Sequence, residues 1–346
     1  MTVDELLVST ATRILADTST FDAVEAAERD GWAPGVWDAL AEAGLPWVGV
    51  PEQAGGSGGT LADALAVLRV AGAHAAPVPL AETGLLAGWL LAEAGLELDA
   101  RPATVVPGRP SDDVRFAGGV LTGAAHEVPW AHRAGWVVAL VDDGPAAKVA
   151  VVEAAACRIE RGVNLAGEPR DTVHVDGVVP VALAPSPVDR AAFERRGALT
   201  RIVLMAGAVA AMSELTNDYT AQRRQFGKPV ARFQLVQRHL VHLAQDAALL
   251  SMAADAAGAA AARGDGAFEI AAAKALAGSV ATSATRAAHQ AHGAMGMTRE
   301  YPLHHLSRRL WAWRREYGSQ HRWELEVGAA ARAAGADGLY PLITRS

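Results

Sequence analysis

The sequence has 346 residues, of which 51% are hydrophobic, and its formal net charge at pH 7 is −7. This length allows two or three domains with a substantial core. The acidic balance argues against nucleic acid as the main partner, because phosphate binding needs a basic surface. The single cysteine, Cys157, cannot form an internal disulfide, and no Cys/His spacing predicts a zinc site. A lone cysteine is typical of the reducing cytoplasm, and we expect Cys157 to be a buried apolar residue.

Apolar residues recur every three or four positions through residues 1–96 and predict helices there. Thr60 follows a loop of glycine pairs and is a candidate N-cap for the next helix. The N-terminus has no basic region leading into an apolar core, so it does not resemble a signal peptide. The Ala/Leu-rich run 75–96 is broken by Pro, Glu and Gly, which predicts a core helix and no membrane span. We therefore expect a cytoplasmic protein.

Residues 97–187 alternate short β-branched runs with Gly, Pro and Asp, which predicts a small antiparallel β domain. The segments 141–144 ("VDDG") and 175–178 ("VDGV") have the composition of turns. Residues 188–346 return to long helices with short connectors, the pattern of an antiparallel four-helix bundle. The predicted fold class is therefore mainly α with a small central β domain. Its domains are an N-terminal helical domain (1–96), a β domain (97–187) and a C-terminal bundle (188–346).

Two segments of the predicted bundle have residue types that suit a phosphorylated ligand. In "RRQFGKPVARFQ" a long helix ends in Arg, the chain turns at Gly and Pro, and a new helix begins. Arg223 is a planar cation suited to a pyrophosphate, and Gln234 lies in a first helical turn whose N–H groups attract anions. In "HQAHGAMGMTREYP" the glycines allow a ligand to approach the backbone closely. The residues alone equally describe a surface turn and a glycine C-cap.

Together these segments resemble the C-terminal domain of the acyl-CoA dehydrogenase family, in "R-x-x-F-G-K-P-V-x-x-F-Q" and "Q-x-x-G-A-x-G-x-T-x-E-Y-P". Residues 48–67 resemble the N-terminal Pro-Glu, Gly-Gly loop and helix of that family, and residues 119–141 resemble its β domain. The resemblance implies a helical–β–helical architecture, bound FAD and a tetramer.

The resemblance also implies roles for particular residues. The reaction would be α,β-dehydrogenation of an acyl-CoA thioester: a carboxylate removes the α-proton while the β-hydrogen leaves as hydride to the flavin. Electrons would then pass to an electron-transfer flavoprotein. The guanidinium of Arg223 would contact the pyrophosphate of an FAD in a neighbouring subunit. The residues that the resemblance assigns to the cofactor are Arg223, Phe226, Gln234, Gln290, Gly293 and Ala294.

The catalytic base is where the sequence departs from the family pattern. The base of most members is a Glu just before a Gly, and here the chain reads Glu316-Tyr317-Gly318. An ungapped count from Glu300 places Tyr317 in that position, and Glu316 fills it only if one residue is deleted upstream. One residue turns a helical side chain by about 100°. We rank Glu316 first as the base and Glu194, on the preceding long helix, second.

A second departure lies in the β domain, which lacks the "Thr-Glu-Pro…Gly-Ser-Asp" segment that lines the flavin in most members. Trp130 is a candidate replacement for the flavin-side aromatic residue of the family. Some members work as heterotetramers in which one subunit type has lost part of its FAD site. The chain is therefore predicted to form either a homotetramer or a heterotetramer with a second family subunit. Other flavin chemistry, monooxygenase-like or acyl-ACP-specific, and a non-catalytic structural role remain open.

A basic run near the C-terminus has two interpretations. Its arginines would meet CoA phosphates or, more commonly for such runs, form a solvated helix face that pairs with Glu324 and Glu326. The run comprises Arg308, Arg309, Arg314 and Arg315.

Overall fold

The structure is a computed structural model that describes residues 5–97, 99–143, 146–264 and 266–344. The chain forms two compact units, Met1–Thr200 and Arg201–Ser346. The division into three domains at residues 96 and 187 stays a prediction.

The first unit begins with helices. They are α1 (Glu5–Thr18), α2 (Phe21–Asp30), α3 (Pro34–Glu42), α4 (Leu61–Ala73) and a π-helical segment (Ala81–Gly88) that continues into α5 (Trp89–Glu93). The predicted N-cap of α4 is confirmed, because the Thr60 hydroxyl accepts a hydrogen bond from the Asp63 N–H and the Asp63 carboxylate accepts one from the Thr60 N–H. Every residue of the π-helical segment is buried, which confirms the predicted core helix.

Two four-stranded sheets follow in the first unit. Their strands are β1 (Ala103–Val105), β2 (Arg115–Ala117), β3 (Val120–Pro129), β4 (Trp136–Asp143), β5 (Ala146–Glu153), β6 (Arg158–Glu160), β7 (Arg170–Val178) and β8 (Ala182–Pro185). The strand orders are β1-β4-β5-β8 and β2-β3-β7-β6, and apolar side chains of both sheets, among them Leu121, Val137 and Val173, form one core. Within these sheets β1 pairs with β4 in parallel, whereas the other described strand pairs are antiparallel as expected.

Two local predictions in this region need correction. The "VDGV" segment is not a turn, because it lies inside β7 and the register with β3 shifts between Val178 and Asp176. Gly177, with φ of 74°, supplies the backbone freedom that such a bulge needs. The predicted "VDDG" turn includes residue 144, which lies outside the described residues. Cys157 is half-buried rather than buried, and packs at the edge of the core, where burial raises the pKa of its thiol to about 11.

The rest of the chain is mainly helical. Its elements are α6 (Arg190–Gln222), β9 (Arg224–Gln225), β10 (Lys228–Pro229), α7 (Gln234–Ala262), α8 (Ala267–His292), α9 (Leu303–Trp313) and α10 (Gln320–Ile343). Helix α8 packs against α7, α9 and α10. Helix α6 is long and apolar enough to cross a membrane, but 78% of its most apolar stretch is buried in the chain, as in the core helix of a globular domain. The predicted fold class, mainly α with a central β region, is confirmed.

Candidate functional site

The first predicted ligand segment is a tight hairpin between α6 and α7. Strands β9 and β10 are joined by Phe226 and Gly227, whose φ angles of 50° and 78° fit a two-residue turn with the twist of paired strands. The Arg223 N–H donates to the Tyr219 carbonyl at 2.8 Å, and the Val230 N–H donates to the Arg223 carbonyl at 2.8 Å. The backbone of Arg223 is therefore fixed from both sides while its side chain stays exposed.

The hairpin presents an aromatic ring and several cations to solvent. The Phe226 side chain is 90% exposed and meets the Phe233 ring edge-on at 6.1 Å between centroids. The Lys228 ammonium lies 4.3 Å from the centroid of Phe233. Gln234, the first residue of α7, is also exposed, beside the N–H groups of the first helical turn. The hairpin thus offers the positive charge and the hydrogen-bond donors that suit an anionic group.

The second predicted segment is the end of α8 and the glycine loop after it. Gln290, Gly293 and Ala294 are exposed. Gly293 has φ of 61° and ψ of −137°, and a Cβ placed on it would meet no atom within 4 Å. The backbone is therefore open to close approach by a ligand at this point.

Three aromatic rings join the two segments. The Tyr219 ring, in the last turns of α6, stacks on the His292 ring with centroids 4.5 Å apart, and Tyr301 packs on both at 5.5 Å and 4.9 Å. The His292 Nδ1–H donates to the Ala288 carbonyl at 2.8 Å, and burial lowers the pKa of the ring, which favours its neutral form. Its Nε2 lone pair is buried without a hydrogen-bond partner among the described residues.

Glu316, the first-ranked base, lies in the turn between α9 and α10 and is paired. The Arg201 Nε–H donates to the Glu316 carboxylate at 2.6 Å, and the two side chains are 1% and 11% exposed. The Arg201 guanidinium also lies 5.3 Å from the centroid of the Tyr317 ring. A carboxylate held in this way is stabilised in its charged form.

A buried lysine holds the same turn. The Lys274 ammonium, in the first half of α8, donates to the carbonyls of Arg314 at 2.9 Å and Gly318 at 3.1 Å. Burial lowers the pKa of Lys274 to about 7, and the charge of Glu316 partly offsets this effect. Tyr317 and Gly318 have φ angles of 52° and 101°. The backbone of this turn is thus irregular, and the side chains of Arg201 on α6 and Lys274 on α8 hold it in place.

The amino-acid sequence matches two family descriptions: acyl-CoA dehydrogenase, N-terminal domain, over residues 2–98, and acyl-CoA dehydrogenase, C-terminal domain, over residues 192–320. The chain is 31% identical over 298 residues to the acyl-CoA dehydrogenase FadE28 of Mycobacterium tuberculosis, which covers 78% of this chain and 84% of that protein. The chain belongs to the acyl-CoA dehydrogenase family.

Several solved structures share the fold of this chain. The ChsE4–ChsE5 complex from Mycobacterium tuberculosis superposes with a TM-score of 0.86 at 20% identity, covering 96% of this chain and 98% of that one. A glutaryl-CoA dehydrogenase from Mycobacterium smegmatis in complex with FADH2 superposes with a TM-score of 0.83 at 16% identity, covering 96% and 95%. At these identities the likeness establishes the fold alone.

The candidate flavin-side aromatic residue, Trp130, is enclosed within the first unit. It has φ of 48°, is 4% exposed, and carries the Arg170 guanidinium 4.9 Å from its ring centroid. The neighbouring Asp171 carboxylate, fully buried, accepts from the backbone N–H of His132 at 3.0 Å. The segment that contains Trp130 is therefore packed against the start of β7.

The predicted solvated basic face is wrong for Arg309, which is fully buried and donates to the His305 carbonyl. Arg314 donates to the Thr282 hydroxyl, and Arg315 is exposed. Arg308 and Arg309 lie on α9, and this amphipathic helix turns Arg309 inward, whereas Arg314 and Arg315 lie in the turn after it.

Sequence reasoning missed Arg201 and Lys274, which surround the candidate base. Arg201 is 115 positions from Glu316 in the chain, so no local pattern links them. Lys274 is a single lysine inside an Ala-rich helix. A charged residue on an otherwise apolar helix face was the one available signal, since such residues are rarely buried unless they have partners.

Proposed function

We propose that the chain acts in the FAD-dependent α,β-dehydrogenation of an acyl-CoA thioester, as one subunit of a cytoplasmic tetramer that passes electrons to an electron-transfer flavoprotein. The stack of Tyr219 on His292 carries the proposal, because it joins the hairpin of Arg223 to the glycine loop of Gly293. Membership of the acyl-CoA dehydrogenase family supports the reaction class.

The residues of both segments fit a flavin nucleotide that another chain holds in part. The open space at Gly293 suits close approach of a ligand to the backbone. The His292 Nε2, buried and without a partner among the described residues, is an acceptor beside that loop. The exposed guanidinium of Arg223 suits a pyrophosphate. Bound FAD would take the β-hydrogen of the acyl group as hydride.

The residues of this chain would bind and orient the cofactor. Arg223 would neutralise pyrophosphate charge, and Phe226, exposed beside it, would cover an apolar part of the nucleotide or of the other subunit. Gln234 and Gln290 would donate amide hydrogen bonds. Gly293 and Ala294 would let the cofactor lie against the backbone without a side chain between them.

The proton acceptor is the point on which two versions of this function differ. If Glu316 takes the α-proton, it does so while Arg201 binds one oxygen of its carboxylate at 2.6 Å, and this ion pair makes the carboxylate a weaker proton acceptor. This contact favours a second candidate, in which the chain is a partner subunit that does not supply the base. Tyr317 in the ungapped family position supports the same version.

An absorbance spectrum of the purified chain, alone and co-purified with a second family subunit, tests the cofactor. Stoichiometric FAD in the chain alone would support a homotetramer with complete sites. FAD only in the co-purified complex would support the partner-subunit version. A folded complex without flavin in either preparation would contradict both.

The Glu316→Gln variant separates the two versions, with Glu324→Gln, an exposed glutamate on α10, as the matched control. Loss of a general base lowers kcat by about 10²–10⁴-fold. Under the partner-subunit version kcat of the complex stays within about threefold, although the variant unfolds more easily. Electron-transfer-flavoprotein reduction is the assay, and oxygen uptake in the same samples would reveal monooxygenase-like chemistry instead.

A further inference from the structure

His292 is the last residue of α8, at the point where that helix meets the glycine loop. It is 3% exposed, and its ring contacts two aromatic rings, Tyr219 at 4.5 Å and Tyr301 at 4.9 Å between centroids. A Cβ placed on Gly296 would lie 2.9 Å from the His292 Cβ and 3.5 Å from the His289 Nδ1. The glycine loop therefore packs directly on these two histidines, and its position depends on them.

The His292 ring is also connected to the hairpin. The Tyr219 carbonyl accepts the Arg223 backbone N–H at 2.8 Å, so the ring that stacks on His292 belongs to the residue that fixes the start of the hairpin. Tyr301 follows the glycine loop and packs on Tyr219 at 5.5 Å between centroids. A change in the state of the His292 ring would therefore reach both the segment of Arg223 and the segment of Gly293.

His292 titrates without a counter-ion. Its Nδ1–H donates to the Ala288 carbonyl, which leaves Nε2 as the atom that takes up a proton. This Nε2 is buried and has no hydrogen-bond partner among the described residues. Burial, together with the charge of His289, lowers the pKa of His292 from its ordinary value of 6.5. A proton is therefore taken up only at mildly acidic pH, and it enters a site built for the neutral ring.

The titratable groups around His292 do little to stabilise a charged ring. The groups in contact with it or acting on it are Tyr219 on α6, Tyr301 after the loop and His289 on α8. Farther out, Asp218 acts on Tyr301, and His304 on α9 acts on His289. The face of a stacked tyrosine attracts a cation, but it does not replace an acceptor for an N–H in the plane of the imidazole. A proton on Nε2 would therefore be a buried donor without an acceptor among the described residues, and it favours a ring that has left the stack for water.

We propose that His292 is a pH-sensitive positioning residue: its neutral ring holds the glycine loop against the end of α6, and its protonation separates the two segments. Separation would release a flavin nucleotide that both segments contact, and this part of the proposal rests on the proposed function. The opening of the stack itself requires only this chain.

Urea denaturation at several pH values between about 7.5 and 5 tests the opening of the stack. The unfolded chain binds the proton more readily than the folded one, so the unfolding equilibrium constant should rise as the pH falls below 6.5, by up to about tenfold per pH unit from this residue. His292→Asn keeps a donor for the Ala288 carbonyl, and His292→Phe keeps a stacked ring. Both variants should lose this part of the pH dependence. His321→Asn, a histidine on α10 that is 80% exposed, is the matched control and should keep the parent profile.

The slopes of these profiles are compared, because burial lowers the pKa of other histidines that contribute to every profile. They are His74, His239 and His289. Comparing slopes also separates titration from the packing that each variant loses at every pH. Equal slopes in the parent protein and in both His292 variants would overturn the proposal.

Retention of FAD tests the positioning role, with the fluorescence of released flavin as the readout. In the flavin-bearing protein or its co-purified complex, the Kd for FAD should rise at least about tenfold between about pH 7.5 and 5.5. In His292→Asn and His292→Phe it should rise less than about threefold, whereas His321→Asn should follow the parent protein. An equal rise in the parent protein and both His292 variants would overturn the positioning role. A complex without flavin would instead contradict the proposed function and the cofactor part of this proposal, whereas the unfolding slopes would still decide the opening of the stack.

Discussion

Two regions of the C-terminal helical unit carry charged residues of predicted function, and they are built in opposite ways. In the hairpin and glycine loop, Arg223 and Gly293 are exposed, and the Phe226 ring is 90% in solvent. In the turn between α9 and α10, Glu316 is held by a buried arginine, and the supporting Lys274 is fully buried. The first region is arranged to contact a ligand or another chain. In the second region the charged groups are paired within the chain itself.

The role of a motif residue should therefore be judged by the hydrogen bonds and ion pairs that the fold already gives it. A buried charge must be compensated, so a carboxylate that the fold has paired contributes to the structure before it contributes to chemistry. Leaving a guanidinium exposed costs little free energy, and its N–H donors stay available to a ligand. Substitutions in each region test this contrast.

The largest effect is expected for Arg201→Met. Removing the guanidinium breaks the ion pair with Glu316, which is only 11% exposed. Breaking a buried ion pair from one side costs about 3–5 kcal/mol. We expect a loss of that size in the free energy of unfolding, measured by urea denaturation. Arg315→Met, an exposed arginine of the same turn, should change it by less than about 0.5 kcal/mol.

The double variant Arg201→Met with Glu316→Leu sharpens this test. Replacing both partners removes the buried carboxylate together with the guanidinium, so part of the lost stability should return. An Arg201→Met loss below about 1 kcal/mol, or a double variant as unstable as the sum of the single changes, would contradict the internal role of the pair.

The next effect is a pH dependence that Lys274 imposes. Its pKa is about 7 in the fold and 10.5 ordinarily, so the unfolded chain binds more protons between these values. The free energy of unfolding should therefore rise with pH between about 7 and 10.5, by up to about 1.4 kcal/mol per pH unit from this group. Below pH 7 Lys274 is charged in the folded chain as well, so the full free-energy cost of burying its charge is present. In Lys274→Met this rise should be absent, whereas the exposed Lys228→Met should keep the parent profile.

Sequence reasoning reached the fold class and the helices that hold the motifs, because apolar periodicity and turn residues such as those at 226–229 are local signals. It did not reach the parallel pairing of β1 with β4 or the bulge in β7, since both depend on strand partners distant in sequence. At the candidate site it ranked Glu316 as the base from the family resemblance, although an ungapped count placed Tyr317 in that position. The Arg201 contact depends on tertiary packing across 115 positions, which spacing does not encode.

Gly293→Ala should have a smaller effect and probes the exposed region. The φ and ψ of Gly293, 61° and −137°, are close to a region that only glycine occupies readily. A Cβ there would meet no atom within 4 Å, so the cost is backbone strain alone, about 1–3 kcal/mol. Gly328→Ala, in an exposed helical position with equal space, should be neutral or slightly stabilising. Equal unfolding midpoints for the two variants would contradict this account of the glycine loop.

The smallest effect on the stability of the single chain is expected for Phe226→Asn. The ring is 90% exposed, and Asn adopts a φ of 50° more readily than Phe, so the free energy of unfolding should change by less than about 1 kcal/mol. If the ring is exposed for contact with another subunit, the same change removes about 1.5–3 kcal/mol of apolar burial from each interface. Assembly measured by analytical ultracentrifugation should then weaken by about 10–100-fold. The control Phe226→Tyr keeps an aromatic ring and should assemble as the parent protein does. Unchanged assembly in Phe226→Asn would mean that the exposed region does not use this ring to meet a second chain, and the contrast with the buried turn would rest on Arg223 and Gly293 alone.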